Sequence, residues 1–170
     1  MVLVGLPGAG KSTSGRRLAK ILDLPFADSD DLVEAADGRT VREIFAADGE
    51  AAFRAVEADA VATALVEFTG VLALGGGALT TERTRTTVQS SGVPVAVLQA
   101  RLATLRLRVG DGRTRPLLAA DPAGRLADLA DERAPLYDQV ATFVVDTDGR
   151  TPGQVAAALA ARLHERRVRA

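Results

Sequence analysis

The sequence predicts an α/β protein with a parallel β-sheet, and two observations carry this prediction. Short apolar runs alternate along the chain with longer helical patterns, which is typical of βαβ units. Each run is apolar enough to be covered on both faces, as the strands of a parallel sheet are. With 170 residues, 47% of them hydrophobic and 25% charged, we expect residues 1–170 to form one domain.

The order of the elements follows from these patterns. Five strands are predicted, at residues 2–4, 25–27, 71–74, 94–98 and 142–145. The clearest helices are predicted at residues 11–22, 51–68, 101–109, 122–140 and 152–167. A proline at position 152 suits the first turn of the last helix.

The composition excludes several classes of function. The sequence contains no cysteine and a single histidine, His164, so thiolate catalysis, disulfides and a Ser-His-Asp triad are not expected. A formal net charge of -1 argues against a basic nucleic-acid surface. No apolar stretch is long enough to span a membrane and no charged leader precedes one, so we expect a cytoplasmic protein.

A phosphate-binding loop is predicted near the start of the chain. Residues 5–12 match G-x-x-x-x-G-K-[ST] between a strand and a helix, the context this motif requires. Its backbone N–H groups and the positive end of the following helix would bind phosphates, and Ser12 would hold Mg²⁺. Lys11 is one of only two lysines, and a compact ammonium suits this crowded position. The predicted nucleotide-binding residues of the loop are Gly8, Ala9, Gly10, Lys11, Ser12 and Thr13.

Among proteins with such a loop, a small-molecule kinase fits best. A GTPase needs an Asn-Lys-x-Asp segment later in the chain, but the only lysines are Lys11 and Lys20. A large ATPase usually carries an acidic residue after a hydrophobic strand, whereas residues 71–74 run straight into glycines. A kinase also needs an acceptor pocket, a group that orients or deprotonates the acceptor, and positive charge over the transferring phosphoryl group.

Two carboxylates and a glycine run are candidates for the acceptor pocket. Asp28 and Asp30 follow the second strand, at the edge of the sheet where ligands bind, and could serve Mg²⁺ and the acceptor hydroxyl respectively. The alternative is that both acids cap the helix that follows. Three glycines at 75–77 directly follow a buried strand and allow close approach of the backbone. The glycine- and arginine-rich segment 110–116 has the composition of a lid over phosphates.

Two arginines remain ambiguous from the pattern alone. Arg54 and Glu57 lie three residues apart on one predicted helix, so Arg54 could bind a carboxylate while Glu57 orients it. A salt bridge on a solvated helix face is the commoner explanation of such a pair. Arg133 could likewise sit at a helix end without a ligand.

Taken together, these residues resemble the shikimate kinases of the small single-domain bacterial type. The resemblance covers nearly the whole chain. It rests on the order and spacing of six motifs: residues 5–13, Asp28-Ser-Asp30, residues 44–57, Leu74-Gly-Gly-Gly77, Arg115-Pro-Leu-Leu118 and Glu132-Arg-Ala-Pro-Leu-Tyr137.

The resemblance implies a fold and a reaction. The fold would be a three-layer α/β/α P-loop kinase with a five-stranded parallel sheet of order 2-3-1-4-5, a lid at about 110–122 and a shikimate-binding region at about 30–60. The reaction would be transfer of the γ-phosphoryl group of ATP to the 3-hydroxyl of shikimate, on the way to chorismate and the aromatic amino acids. One Mg²⁺ ion is expected with ATP, and the enzyme is expected to be a monomer without nucleic-acid or membrane partners.

The resemblance also assigns roles to individual residues. Lys11, Asp30 and Arg115 would be catalytic, with Asp30 as the base and Arg115 closing on the phosphates. Arg108 and Arg150 would lie near the adenine, and Ser12 and Asp28 would serve the metal. The implied shikimate-binding residues are Asp30, Phe45, Phe53, Arg54, Glu57, Gly76, Gly77, Pro116 and Arg133.

Two rival functions remain at this point. A gluconate-type or nucleoside-monophosphate kinase would use the same scaffold, and a polyol acceptor with a carboxylate would also need Arg54. A regulatory nucleotide-binding module without catalysis would usually lack the loop lysine, the lid arginine or the acidic base, and Lys11, Arg115 and Asp30 are all present.

Overall fold

The computed structural model describes residues 1–110 and 122–169. The predicted lid, with Arg115 and Pro116, therefore falls almost wholly outside the described residues. The elements are β1 (Val2–Val4), α1 (Lys11–Leu22), β2 (Phe26–Asp28), α2 (Ser29–Asp37), α3 (Val41–Glu67), β3 (Val71–Ala73), a 3₁₀ turn (Ala78–Thr80), α4 (Glu82–Ser90), β4 (Val95–Gln99), α5 (Leu102–Val109), α6 (Pro122–Val140), β5 (Phe143–Asp146) and α7 (Pro152–Arg169).

The five strands form one parallel sheet in the order β2-β3-β1-β4-β5, which confirms the predicted fold and strand order. β1 lies at the centre, with Leu3 opposite Ala73 of β3 and Ala96 of β4. β2 and β3 lie on one side of β1, and β4 and β5 lie on the other. Ligands of open α/β sheets bind at such a switch point, at the carboxyl ends of the strands. The phosphate loop leaves β1 at that edge.

Helices cover both faces of the sheet. On one face, Leu3 and Leu98 pack with Leu18 of α1 and Leu159 of α7. On the other face, Val2 and Leu74 pack with side chains of α3, α4 and α6. Alternate residues of β1 thus enter different cores, and this is why the strand is apolar throughout.

The expectation that every strand is covered on both faces is wrong for β5. Its residues alternate between buried and exposed, and Val144 is 44% exposed. β5 lies at the edge of the sheet beside β4, with Phe143 and Val145 of one face in the core and Val144 and Asp146 of the other face exposed. β2, at the opposite edge, is half-buried along its length.

The helix predicted at 51–68 is the second part of a longer element. α3 begins at Val41 with a capping box, in which Thr40 and Glu43 satisfy each other's backbone N–H groups. Gly49 interrupts the helix with φ 81° and ψ 177°, values that glycine adopts readily. The bend lets Ile44, in the first part of the helix, pack against Val33 of α2. Both residues belong to the predicted shikimate-binding region.

α4 was not among the predicted helices because its sequence is unusually polar for a packed helix. Only Thr84 and Val88 are buried, and most other positions are hydroxyl-bearing or charged side chains. The helix is held by its contacts with α3 and α6 rather than by a strong apolar face. Within residues 1–110 and 122–169, no helix is long and apolar enough to cross a membrane.

Candidate active site

The phosphate loop connects the central strand β1 to α1. Gly10, the residue before the helix, has φ 91° in the left-handed region, which glycine adopts without steric cost. The first turn of α1 contains no acidic side chain that would compete with an anion. The loop and the positive end of α1 therefore form a site for phosphate groups.

Lys11 is held within this loop. Its ammonium donates hydrogen bonds to the carbonyl oxygens of Gly5 at 2.8 Å and Leu6 at 3.3 Å. These contacts place the positive charge over the loop, where the terminal phosphates of a nucleotide would lie. The ammonium can exchange carbonyl partners for phosphate oxygens when a nucleotide binds.

Asp28, at the end of β2, contacts the phosphate loop region. Ser12 Oγ donates a hydrogen bond to Asp28 Oδ2 at 2.6 Å. Asp28 also caps α2, because its Oδ1 accepts the N–H of Asp30 at 3.3 Å. The sequence leaves two roles open for Asp28, capping α2 and acting beside the phosphate loop. The structure shows one contact of each kind.

Asp30 lies on the first turn of α2 and is open to solvent in the cleft. Its pKa is raised by partial removal from water and by the Asp28 charge, while Lys11 and Arg54 oppose the rise. A carboxylate with a raised pKa near a phosphate site is suited to accept a proton.

Arg54 and Glu57 form a buried ion pair, and the expectation of a solvated helix face is wrong. The side chain of Glu57 is 1% exposed and that of Arg54 is 12% exposed, and Arg54 Nη1 donates to Glu57 Oε2. Arg54 also contacts the exposed Glu50 at 3.1 Å. Burial raises the pKa of Glu57, and the Arg54 charge opposes that rise.

Arg133 is buried as well, on α6. Its Nη1 donates to the carbonyl oxygen of Gly76 at 2.7 Å, and Tyr137 Oη donates to the same oxygen at 3.1 Å. Arg133 Nε is buried without a hydrogen-bond partner within the described part of the chain. Burial and the nearby charge of Arg54 lower the pKa of Arg133, so an anionic ligand would stabilise both guanidinium groups.

The glycine run joins these groups. A Cβ atom at Gly75 would lie 2.7 Å from Glu57 Oε1 and 2.9 Å from Asp30 Oδ1. A Cβ at Gly77 would lie 2.2 Å from Arg54 Nη2 and 3.3 Å from Arg133 Nη2. Because no side chain fills this space, the two guanidinium groups and the two carboxylates converge on the same segment of backbone.

The loop opens into a cleft of about 630 Å³. Near one part of it, Arg108 donates to the hydroxyl and the carbonyl oxygen of the buried Thr147, at 2.9 and 2.7 Å. The lining residues are Gly8, Ala9, Gly10, Lys11, Ser12, Thr13, Ser14, Asp28, Asp30, Leu74, Gly75, Gly76, Arg108, Thr147, Arg150, Pro152 and Val155. Arg54, Glu57, Gly77 and Arg133 are not among them. Glu57 and Arg133 lie beside Gly75 and Gly76, which do line the cleft.

The two phenylalanines of the predicted pocket lie behind Arg54. Phe53 is 2% exposed and belongs to a small core with Ile44, and the half-buried Phe45 stacks on it with ring centroids 4.7 Å apart. The Arg54 guanidinium lies 5.0 Å from the centroid of the Phe53 ring. The pair therefore supports Arg54 from behind.

Sequence reasoning missed three buried polar residues at this site. Ser29, Tyr137 and Thr147 are all buried and hydrogen-bonded to residues of the site. Ser29 lies between the two aspartates, and that position was the only signal available for it. The other two depend on contacts between segments distant in the chain, which spacing does not reveal.

Gly77→Ala should raise the KM for the acceptor at least tenfold with little change in the KM for ATP. The new methyl group would displace the Arg54 guanidinium, which the structure places 2.2 Å from it. Steady-state kinetics with each substrate varied will measure the change. Gly153→Ala is the matched comparison, because a Cβ there would meet no atom closer than 3.9 Å, and an equal effect of both variants would contradict this explanation.

Comparisons with known proteins place the site in a family. The family model for shikimate kinase matches residues 7–164. The shikimate kinase of Salinispora arenicola is 51% identical over 162 residues, which cover 95% of this chain and 96% of that protein. The shikimate kinase of Mycobacterium tuberculosis is 47% identical over 163 residues, covering 95% of this chain and 92% of the relative.

Solved structures give the same result. The shikimate kinase of Acinetobacter baumannii in complex with shikimate matches with a TM-score of 0.92 and 34% identity, over 97% of this chain and 92% of that one. The tunicamycin resistance protein of Deinococcus radiodurans has a TM-score of 0.60 at 20% identity, over 96% of this chain and 94% of that one, and shares the fold alone. With a family model over nearly its whole length and relatives at about half identity, this chain belongs to the shikimate kinase family.

Proposed function

We propose that Asp30, Arg54 and Arg133 bind and activate shikimate in this enzyme while the phosphate loop holds ATP. Membership of the family makes the chain an ATP-dependent kinase that phosphorylates shikimate in aromatic amino-acid biosynthesis. The observation that carries the residue assignment is the convergence of Asp30, Arg54 and Arg133 on the glycine run beside the loop. Shikimate has a carboxylate at one end and hydroxyl groups at the other, which suits two arginines facing one aspartate.

The reaction at these residues involves one proton and one phosphoryl group. The 3-hydroxyl of shikimate gives its proton to the Asp30 carboxylate, and its oxygen forms a bond to the γ-phosphorus. The bond between that phosphorus and the β–γ bridging oxygen breaks, and ADP leaves. Lys11 stabilises the charge on the transferring group, a contribution of positioning and electrostatics rather than covalent chemistry.

Arg54 and Arg133 would hold the shikimate carboxylate. Two guanidinium groups can bind a carboxylate with several charge-assisted hydrogen bonds, and Arg133 Nε has no partner within the described residues. Glu57 keeps Arg54 in place from behind. The backbone at Gly76 and Gly77 forms the floor between the two arginines.

The residues beside the loop fit one Mg²⁺ ion. Ser12 Oγ and Asp28 Oδ2 lie 2.6 Å apart, and both are the hard oxygen donors that Mg²⁺ prefers, together with phosphate oxygens and water. Ser12 would be a ligand and Asp28 would orient ligand waters. When bound, the ion supplies neutralisation of the charge on the phosphates. Among residues 1–110 and 122–169, no group of three or more His, Cys, Asp or Glu side chains is placed to hold a metal ion.

Arg108 and Arg150 are proposed to lie beside the adenine. Both line the cleft, and Arg108 is fixed there by its two hydrogen bonds to Thr147. The predicted roles of Arg115 over the phosphates and Pro116 at the acceptor fall outside the described residues and remain proposals from the resemblance. A single domain over 1–170, a monomeric state, a cytoplasmic location and the absence of nucleic-acid partners are likewise part of the proposal.

A phosphorylation assay with competing acceptors tests the function. Purified enzyme with ATP and Mg²⁺ is given shikimate, gluconate or a nucleoside monophosphate, and ADP release is followed by a coupled assay. We expect turnover with shikimate to exceed the others by at least a hundredfold and to stop when EDTA removes Mg²⁺. Greater turnover of gluconate or of a nucleoside monophosphate would overturn the proposal. A product phosphorylated at a hydroxyl other than the 3-hydroxyl would refute the assigned position.

A further inference from the structure

Ser29 is fully buried between Asp28 and Asp30, at the first position of α2. Neither the reaction nor the nucleotide site described above uses it. Its neighbours in the chain are the residue proposed to orient metal ligands and the proposed base. A buried hydroxyl at such a position must satisfy its own hydrogen bonds within the protein.

The Ser29 hydroxyl links the glycine run to the buried ion pair. It accepts the backbone N–H of Gly75 at 2.7 Å and donates to Glu57 Oε1 at 3.3 Å. The other oxygen of Glu57 accepts from Arg54. Gly75, Ser29, Glu57 and Arg54 thus form one chain of hydrogen bonds that runs from the glycine run after β3 through α2 to α3.

Only a hydroxyl-bearing side chain satisfies both ends of this link. A hydroxyl donates one hydrogen bond and accepts others, whereas alanine does neither. Without Ser29 Oγ, the N–H of Gly75 would lose this partner, and among residues 1–110 and 122–169 Glu57 would keep its bond to Arg54 alone. Glu57 would then be freer to rotate, and Arg54 would move with it.

We propose that Ser29 is a positioning residue for the acceptor, which acts through Glu57 to hold Arg54 in the orientation that binds the shikimate carboxylate. The inference rests on the proposed roles of Arg54 and Glu57. It adds that the residue between the two aspartates contributes to the acceptor affinity, although no atom of Ser29 needs to touch shikimate.

The Glu57 charge is also consistent with this link. Burial raises the pKa of Glu57, whereas Arg54 and the Ser29 hydroxyl hold it down, and Asp30 of α2 raises it further. Arg133 of α6 faces the same space from the other side of Gly77. Keeping Glu57 ionised preserves its bond to Arg54, because a protonated carboxyl would pair with the guanidinium more weakly.

The test compares Ser29→Ala with Ser29→Thr, which retains the hydroxyl. For Ser29→Ala we expect the KM for shikimate to rise about two- to tenfold, the effect of one buried hydrogen bond. The KM for ATP and kcat should stay within about twofold, and Ser29→Thr should restore most of the shikimate affinity. Thr84→Val is the matched control, because Thr84 is also buried and its hydroxyl has no partner among the described residues. The KM of this variant for shikimate should equal that of the wild type.

A double variant shows whether Ser29 acts through Glu57. In a Glu57→Gln background, adding Ser29→Ala should raise the KM for shikimate by less than about twofold, since the link is already weakened. An equal effect in both backgrounds, or a loss of ATP affinity as large as that of shikimate affinity, would overturn the proposal. Ser29→Cys keeps the volume and weakens the hydrogen bonds, so it gives the same readout if Ser29→Ala does not fold.

The wild-type measurement separates the two proposals. Wild-type enzyme that does not turn over shikimate would refute the proposed function itself. Normal wild-type turnover combined with an unchanged KM in Ser29→Ala would refute only the role of Ser29.

Discussion

Asp30→Asn should lower kcat about 10²- to 10⁴-fold, the range typical of losing a general base. The amide has nearly the same shape as the carboxylate but cannot take the proton of the 3-hydroxyl. The KM values for ATP and shikimate should change far less, because Lys11, Arg54 and Arg133 remain in place. Single-turnover phosphoryl transfer with both substrates saturating will measure the effect on chemistry alone.

The adjacent acid provides the control for Asp30. Asp31 lies on the same turn of α2, and its exposed side chain forms a 3.8 Å ion pair with the exposed Arg16. Asp31→Asn should leave kcat within about twofold of wild type, since exposed ion pairs contribute little. Near-normal turnover of Asp30→Asn would end its assignment as the base.

The same role gives the wild-type enzyme a pH dependence. Partial removal from water and the Asp28 charge raise the pKa of Asp30 above its usual value, and the base must be ionised to act. Activity should therefore be present above that pKa and fall as the pH drops through it. The acidic limb of the kcat/KM profile should disappear, or the residual rate become independent of pH, in Asp30→Asn.

Arg54→Ala should raise the KM for shikimate about 10- to 150-fold, which corresponds to losing about 1.5–3 kcal/mol of charge-assisted hydrogen bonding. kcat should change less, because the role proposed for Arg54 is to hold the carboxylate end of the substrate and not the reacting hydroxyl. Isothermal titration of shikimate into the enzyme will measure the affinity directly.

Arg54→Ala should also destabilise the fold, and a second variant separates the two effects. Removing Arg54 leaves Glu57 buried with its charge uncompensated, which typically costs about 3–5 kcal/mol. Adding Glu57→Gln removes that charge, so Arg54→Ala/Glu57→Gln should recover thermal stability without recovering shikimate affinity. Recovery of affinity in the double variant would show that Arg54 acts on the fold and not on the substrate.

An exposed ion pair between helices serves as the control for Arg54. Arg83 pairs with Asp59 at 2.6 Å, but the two side chains are 62% and 67% exposed. Arg83→Ala should alter neither shikimate affinity nor stability measurably, because water screens such pairs. The contrast between Arg83 and Arg54 depends only on burial and position.

The sequence alone predicted the family, the sheet order and the phosphate loop. The loop was predictable because its glycines, lysine and serine act through backbone geometry over eight consecutive residues. The strands were predictable because those of the inner sheet are buried on both faces and so consist of apolar residues throughout. β5 was predicted as a strand as well, but the expectation that both its faces are covered was wrong, because the packing of helices at the edge of the sheet is a property of the whole fold.

Other features depended on the tertiary structure. The pattern of Arg54 and Glu57 by itself favoured an exposed salt bridge, and their burial against Phe53 and Ser29 is decided by the packing of α3 on α2. Arg133 is more than 50 residues from Gly76 in sequence, yet it donates a hydrogen bond to the Gly76 carbonyl oxygen.

The spacing of residues along one loop was therefore enough to predict phosphate binding, because that loop supplies the phosphate contacts. The proposed acceptor site depends on tertiary structure, because its charges come from three separate helices that meet at a glycine run where side chains are absent.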